Sequence, residues 1–318
     1  MKTDLDEAWS KAVAARAPLI DEIRRHHRRR RFAMKIQQKL DRALESFIRV
    51  NATEWQPEMD EEERKKINAE VKAMIKKIRD GGESEYADIV RTSDDARAPA
   101  DAMRDVSEKH MAKLAKGLPA FAWIESIHGA GELGLATIVA EAGELGLYPN
   151  PAKLWSRLGF APYDGLAGST WKRDKWRPRE LTKEEWIEHP FSGQRYALMH
   201  QIILWLVNAQ WIGKAKSESG EGEPNGPFGE IYDARRKYAR GTHPDWTDQH
   251  RRMDALRITM KEFLKQLYAE WNKDRPLVEG LPPPRRRAQQ VMRAKNPPKK
   301  KNAPRRRRSE RPRAEVNL

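Results

Sequence analysis

The chain has 318 residues, of which 38% are hydrophobic and 34% charged, and it carries a net charge of +15. That length allows two domains and a substantial core, yet so charged a composition leaves a good part of the chain outside any packed interior. Cysteine is absent, which excludes disulfides, zinc fingers and thiol chemistry. No run approaches the ~20 consecutive apolar residues of a membrane span, and the acidic, polar start of the chain is unlike an export signal. The expectation is a cytoplasmic protein with no membrane partner.

The charge is unevenly placed. Between Arg275 and Leu318 there are 15 Lys/Arg against three acids, a surplus of +12, so the preceding residues carry only +3. The body is nearly neutral and the tail is a polycation. Three zones follow: a helical arm (1–117), a compact helical domain (118–271) and a disordered polybasic tail (272–318). The fold class expected is mainly α.

In the arm, Pro18 suits the first turn of a helix that runs past Phe47. Ile36, Leu40, Ala43, Leu44 and Phe47 recur at helical steps and form one apolar stripe. Pro57 and the acids Glu58 to Glu63 suit the start of a second helix, with its stripe at Ile67, Val71, Met74, Ile75 and Ile78 and its end at Gly81-Gly82. A third helix is expected from about Ala100 to Lys116. Such narrow stripes cannot form a globular core alone, so the arm should pair its helices, within the chain or with a second copy, in a coiled-coil-like manner.

Within the first helix lies Arg24-Arg25-His26-His27-Arg28-Arg29-Arg30-Arg31, six arginines in eight residues. Arginines so crowded repel one another unless an anion compensates, which points to phosphate contacts by Arg28, Arg29 and Arg30. The two histidines read as polar surface. In the tail, Arg305, Arg306, Arg307 and Arg308 are expected to contact phosphates without regard to sequence.

The most informative stretch is Phe121 to Glu141. Ile124 and Ile127 lie on one face of a short helix, Gly129-Ala130-Gly131 follows, and a second helix carries Leu133, Ala136, Thr137, Val139 and Ala140. Two glycines around a small residue allow a tight turn, and the backbone amides that open the second helix would face outward with its dipole behind them. This is a helix-hairpin-helix-like reading, with Gly129, Ala130 and Gly131 as the phosphate contact. Further on, Ile202 to Val207 reads as a buried core helix. His243, Asp245, Asp248 and His250 match no compact metal-ligand pattern.

This hairpin, followed by Ala152-Lys153-Leu154-Trp155 and Gly159-Phe160-Ala161-Pro162, resembles the C-terminal transposase domain of the IS-one-ten (also IS-one-sixteen, IS-nine-oh-two) insertion-sequence family. In that family a serine-glycine loop, an Arg/Leu-rich helix, a Tyr-bearing helix and a closing amphipathic helix come next. Here Tyr196 to Trp211, Phe228 to Arg240 and Met253 to Trp271 take those three helical places, so the resemblance spans Leu118 to Trp271. It implies DNA strand exchange in transposition by an oligomer guided by a structured RNA. The family's nucleophilic serine would correspond to Ser169, with Ser192 competing; Lys172, Arg173 and Arg195 would supply cations for the phosphate.

Family members also carry an RNase-H-fold domain whose four acids bind magnesium. The arm offers no alternating strands and no spaced acids of that kind. No cofactor is therefore evident, and magnesium is expected only if a partner supplies the nuclease domain. Two readings stay open: a transposase-like DNA-binding recombination protein, associated with the nucleoid and forming homo-oligomers through its arm, or a non-catalytic protein that binds DNA or RNA by hairpin and tail.

Overall fold

The structure is a computed structural model that describes residues 2–161, 193–213 and 222–274. It is mainly helical. In chain order the elements are α1 (Lys2–Ala52), α2 (Glu61–Arg79), α3 (Ala87–Ala115), α4 (Phe121–Glu125) and α5 (Glu132–Ala142). A 3-10 turn (Leu145–Leu147), α6 (Pro151–Arg157), α7 (Gly193–Ala209), β1 (Trp211–Gly213), β2 (Gly222–Pro224), α8 (Pro227–Thr242) and α9 (Asp248–Trp271) follow. The two short strands pair antiparallel, Ile212 opposite Glu223. Among the described residues no helix is long and apolar enough to cross a membrane.

The described residues from Thr3 to Asp274 form one compact unit. Its main core gathers Ile124, Leu135, Ile138 and Val139 of α4 and α5 with Met199, Ile203 and Leu206 of α7, Phe228 and Tyr232 of α8, and Phe263, Leu267 and Trp271 of α9. Ile20 and Ile23 of α1 and Met111 and Ala115 of α3 belong to the same core. A second, smaller core holds Leu44 and Ile48 of α1, Val71, Ile75 and Ile78 of α2, and Val90 of α3.

α2 begins where its chemistry directs. Asp60 accepts from the backbone N–H of Glu63 while the Glu63 carboxylate accepts from that of Asp60, a reciprocal cap that satisfies two otherwise orphaned donors. Two of the arm's three prolines, however, lie inside helices: Pro18 within α1 and Pro99 within α3. The sequence reading started one helix at Pro18 and the other at Ala100, because a proline lacks the donor that an interior turn needs. Both prolines are exposed, so their rings lean outward, and packing on either side carries the helix through.

α1 and α3 run antiparallel along a face that is largely polar. Arg30 donates to Glu108 (2.7 Å), Gln37 to Asp101, and Arg97 to Asp41 (2.5 Å). Each step along α1 is matched by an equal step back along α3. His26 stacks on His110 with ring centroids 4.7 Å apart. His26 and His27 are buried, which corrects their reading as surface residues. Burial, then the neighbouring His110 and Arg29, hold the His26 pKa below its usual 6.5.

α7 differs from expectation at one residue. Met199, Ile203, Leu206 and Val207 are core, but Trp205 within the same apolar run is exposed.

Candidate nucleic-acid interface

Of the two glycines in the turn between α4 and α5, the first carries the conformational demand. Gly129 has φ +82°, a conformation that L side chains rarely adopt, and a Cβ there would collide with that of Ala209 on α7. Gly131 is the N-cap of α5 with extended backbone (φ −123°), and a Cβ there would meet open space. The need for glycine therefore sits at Gly129 and arises from packing against α7. Among the described residues no side chain caps the first turn of α5, so its leading amides find no side-chain acceptor there. Glu132, in that same turn, partly offsets the attraction for an anion.

Gln210 anchors this turn from below. Its amide donates to the His128 carbonyl (2.9 Å), and its carbonyl accepts from the backbone N–H of Phe228 (2.8 Å) and of Gly229 (3.2 Å). One buried side chain thus ties the glycine turn to the start of α8.

The electrostatic centre lies at the other end of α5. The Glu141 carboxylate accepts from His27 Nε2 (2.9 Å), Arg195 Nε (3.1 Å) and Arg31 Nη1 (3.4 Å), while Arg157 Nε reaches the Glu141 carbonyl at 3.4 Å. Burial alone would push this carboxyl up. The His27 hydrogen bond and the charges of His27, Arg31 and Arg195 outweigh it and bring the pKa from 4.5 to about 2. Glu141 is therefore an ionised anchor that joins α1, α5 and α7. It is not a proton shuttle.

Of the cations expected to touch phosphate, Arg28 and Arg29 are exposed on α1. Arg30 is buried against Glu108, and Arg195 is buried against Glu141, so both act first as internal ion-pair partners. Ser169, Ser192, Lys172, Arg173 and Arg305 to Arg308 lie outside the described residues. What the structure does fix is the frame around the segment bearing the first four. Phe160 and Tyr196 pack with ring centroids 5.1 Å apart, so residues 161 and 193 start from neighbouring points beside Glu141, Arg157 and Arg195.

The sequence reading missed Glu141, Arg157 and His27 as one cluster. Its signal was present in α5, ELGLATIVAEA, where a lone acid near the end of an apolar helix demands a cationic partner. Nothing in the local pattern names His27, which is 114 residues away.

A second feature is a row of cations on α1. Arg24, Arg28, Arg31, Lys35, Lys39 and Arg42 recur at three- and four-residue steps and so share one side of the helix over about 27 Å. Arg28, Lys35, Lys39 and Arg42 are exposed, and Arg31 links the row to Glu141. Among the described residues no group of His, Asp or Glu is placed to hold a metal ion; His243 instead stacks on Trp246 at 4.1 Å and Asp248 pairs with Arg236. No protein family, curated protein or solved structure matches the chain.

Proposed function

We propose that this chain is a transposase-like nucleic-acid-binding protein of DNA recombination. The observation that carries the reading is the cationic row on α1, which runs to the Glu141 cluster beside Arg157 and Arg195, the residues between which Ser169, Lys172 and Arg173 fall in the sequence. Duplex DNA presents one charge per ~1.7 Å of axis, so a basic row of this length can follow many phosphates at once. Two further features support it. The uncapped start of α5 fits the hairpin contact inferred from Gly129 to Gly131, and the order of α4 to α9 follows the order of elements in the resemblance. The polybasic tail adds a sequence-independent attraction.

The test is the salt dependence of duplex binding. Replacing Arg28, Lys35, Lys39 and Arg42 by glutamine should make the slope of log K against log salt shallower by about 0.9 for each cation that meets a phosphate. Deleting residues 275–318 should flatten it further. An unchanged slope in the fourfold variant rejects the row as the interface.

In the catalytic form of this proposal, the Ser169 hydroxyl attacks a scissile phosphate, expelling the 3′ or 5′ oxygen of the cut strand and leaving a phosphoserine linkage. Magnesium and the acids that hold it would come from a nuclease partner. Ser169→Ala should leave binding intact and abolish any covalent protein–DNA adduct, whereas Ser192→Ala should not. An adduct that survives Ser169→Ala moves the nucleophile elsewhere. A binding-only reading is favoured by one specific observation: Glu141, beside Arg157 and Arg195, is committed to three cations and has no free proton-accepting role.

A further inference from the structure

Among the described residues, α1 turns a polar side inward and leaves an apolar side uncovered. Its inward positions include Arg30, Gln37, Asp41, Leu44 and Ile48, while the positions just before them include Ile36, Leu40, Ala43 and Phe47. With Phe32 and Val50 these make a continuous row; Phe32 is 57% exposed, Phe47 44% and Val50 58%. α3 has the same construction. Val90, Arg97, Arg104 and Ser107 face inward or are buried, and the residues just before them are Ile89, Ala96, Met103 and Val106. Val106 is 53% exposed.

In an antiparallel helix pair, the position preceding an inward residue lies on the same side of both helices. The two rows therefore share one side of the α1–α3 pair. They also cover the same length: Phe32 and Val106 lie toward the main core, and Val50 and Ile89 toward the small one. α2 closes onto Leu44, Ile48 and Val90 and pairs Arg79 with Asp94, so its contacts leave these rows free; Tyr86, the N-cap of α3, stands edge-on to Phe47. A contiguous exposed apolar surface of this content is the kind that takes a protein contact.

We infer that this side of α1 and α3 is where a second copy of the chain docks, by a two-fold rotation about the long axis of the pair. That rotation lays α1 of one copy over α3 of the other, again antiparallel, and closes a four-helix layer with an apolar centre. The margins decide the occupant. Exposed Lys39 borders the row on α1, and exposed Asp95 borders the row on α3 about one helical turn further along the pair. A second copy answers each margin with its opposite, and a partner of single sign would satisfy one and repel the other. The inference is independent of the nucleic-acid reading and gives the expected oligomer a face and a symmetry.

The test is sedimentation of the full chain, freed of nucleic acid and at moderate salt. The wild type should sediment as a dimer. Phe32→Glu on α1 and Val106→Glu on α3 should each give a monomer with unchanged helical circular dichroism. Lys39→Glu and Asp95→Lys should each raise the dimer dissociation constant severalfold, and the double exchange should recover most of it. A monomeric wild type overturns the inference. So do dimers that persist in both glutamate variants, and a charge exchange that fails to recover association shows that the α1-over-α3 arrangement is wrong.

Discussion

Glu141→Ala is expected to destabilise the protein by about 3–5 kcal/mol, the usual result of removing one member of a buried ion pair. The reason is what stays behind. Arg195 and His27 are as buried as Glu141 itself, and without the carboxylate their donors face one another across a dry gap. Urea denaturation at neutral pH measures the loss; a change below about 1 kcal/mol would show that water reaches the cluster. Acid provides the companion measurement. The folded-state pKa of about 2 lies below the ordinary 4.5, so the stabilisation is complete above pH 4.5 and is lost as the pH falls toward 2. The amount at stake is on the order of 3 kcal/mol. Glu141→Gln should be less stable than the wild type at pH 7, and the difference should shrink steadily below pH 4.5.

The other large effect belongs to the glycine turn. Gly129→Val should cost about 2–5 kcal/mol, combining strain at φ +82° with overpacking against Ala209. Gly131→Val should stay within about 1 kcal/mol of the wild type, because its backbone is already extended and the space beside it is empty. The pair separates architecture from contact. If the amides that open α5 hold a phosphate, Gly131→Val weakens duplex binding by crowding the approach, while thermal unfolding barely moves. Equal loss of stability in the two variants would mean that the turn is packed differently.

How far the sequence could be read depended on where the partner of each residue lay. α2 was legible from its acids, its stripe and Gly81-Gly82, because cap, face and stop are all local. Of α7 to α9, the residues themselves marked only the apolar run Ile202 to Val207, and the resemblance supplied the outlines Tyr196 to Trp211, Phe228 to Arg240 and Met253 to Trp271. α1 was legible as a helix but not in its orientation. The stripe that periodicity picks out, Ile36 to Phe47, is the side left uncovered, and Leu44 alone of its members is buried. The inward side is marked by Arg30, Gln37 and Asp41, and their partners are 56 to 78 residues away. Likewise the run of arginines read as one basic surface, yet the helix distributes it: Arg28 and Arg29 go outward, Arg30 to Glu108 and Arg31 to Glu141. The short strands β1 and β2 carry too few residues for any alternation to appear.

The polar seam between α1 and α3 also acts as a lock with one key. Shift α3 by seven residues in one direction and Asp41 faces Val90, a buried charge without a donor; shift it the other way and Arg30 faces Ala115. An oily seam would tolerate either slide at small cost, since one apolar layer resembles the next. This one forbids both, because the charges along α1 run from positive at Arg30 to negative at Asp41 and those of α3 run the opposite way. The two helices thus have a single alignment, and the heights of Phe32, Phe47, Met103 and Val106 on the outer side are set by ion pairs that never touch them.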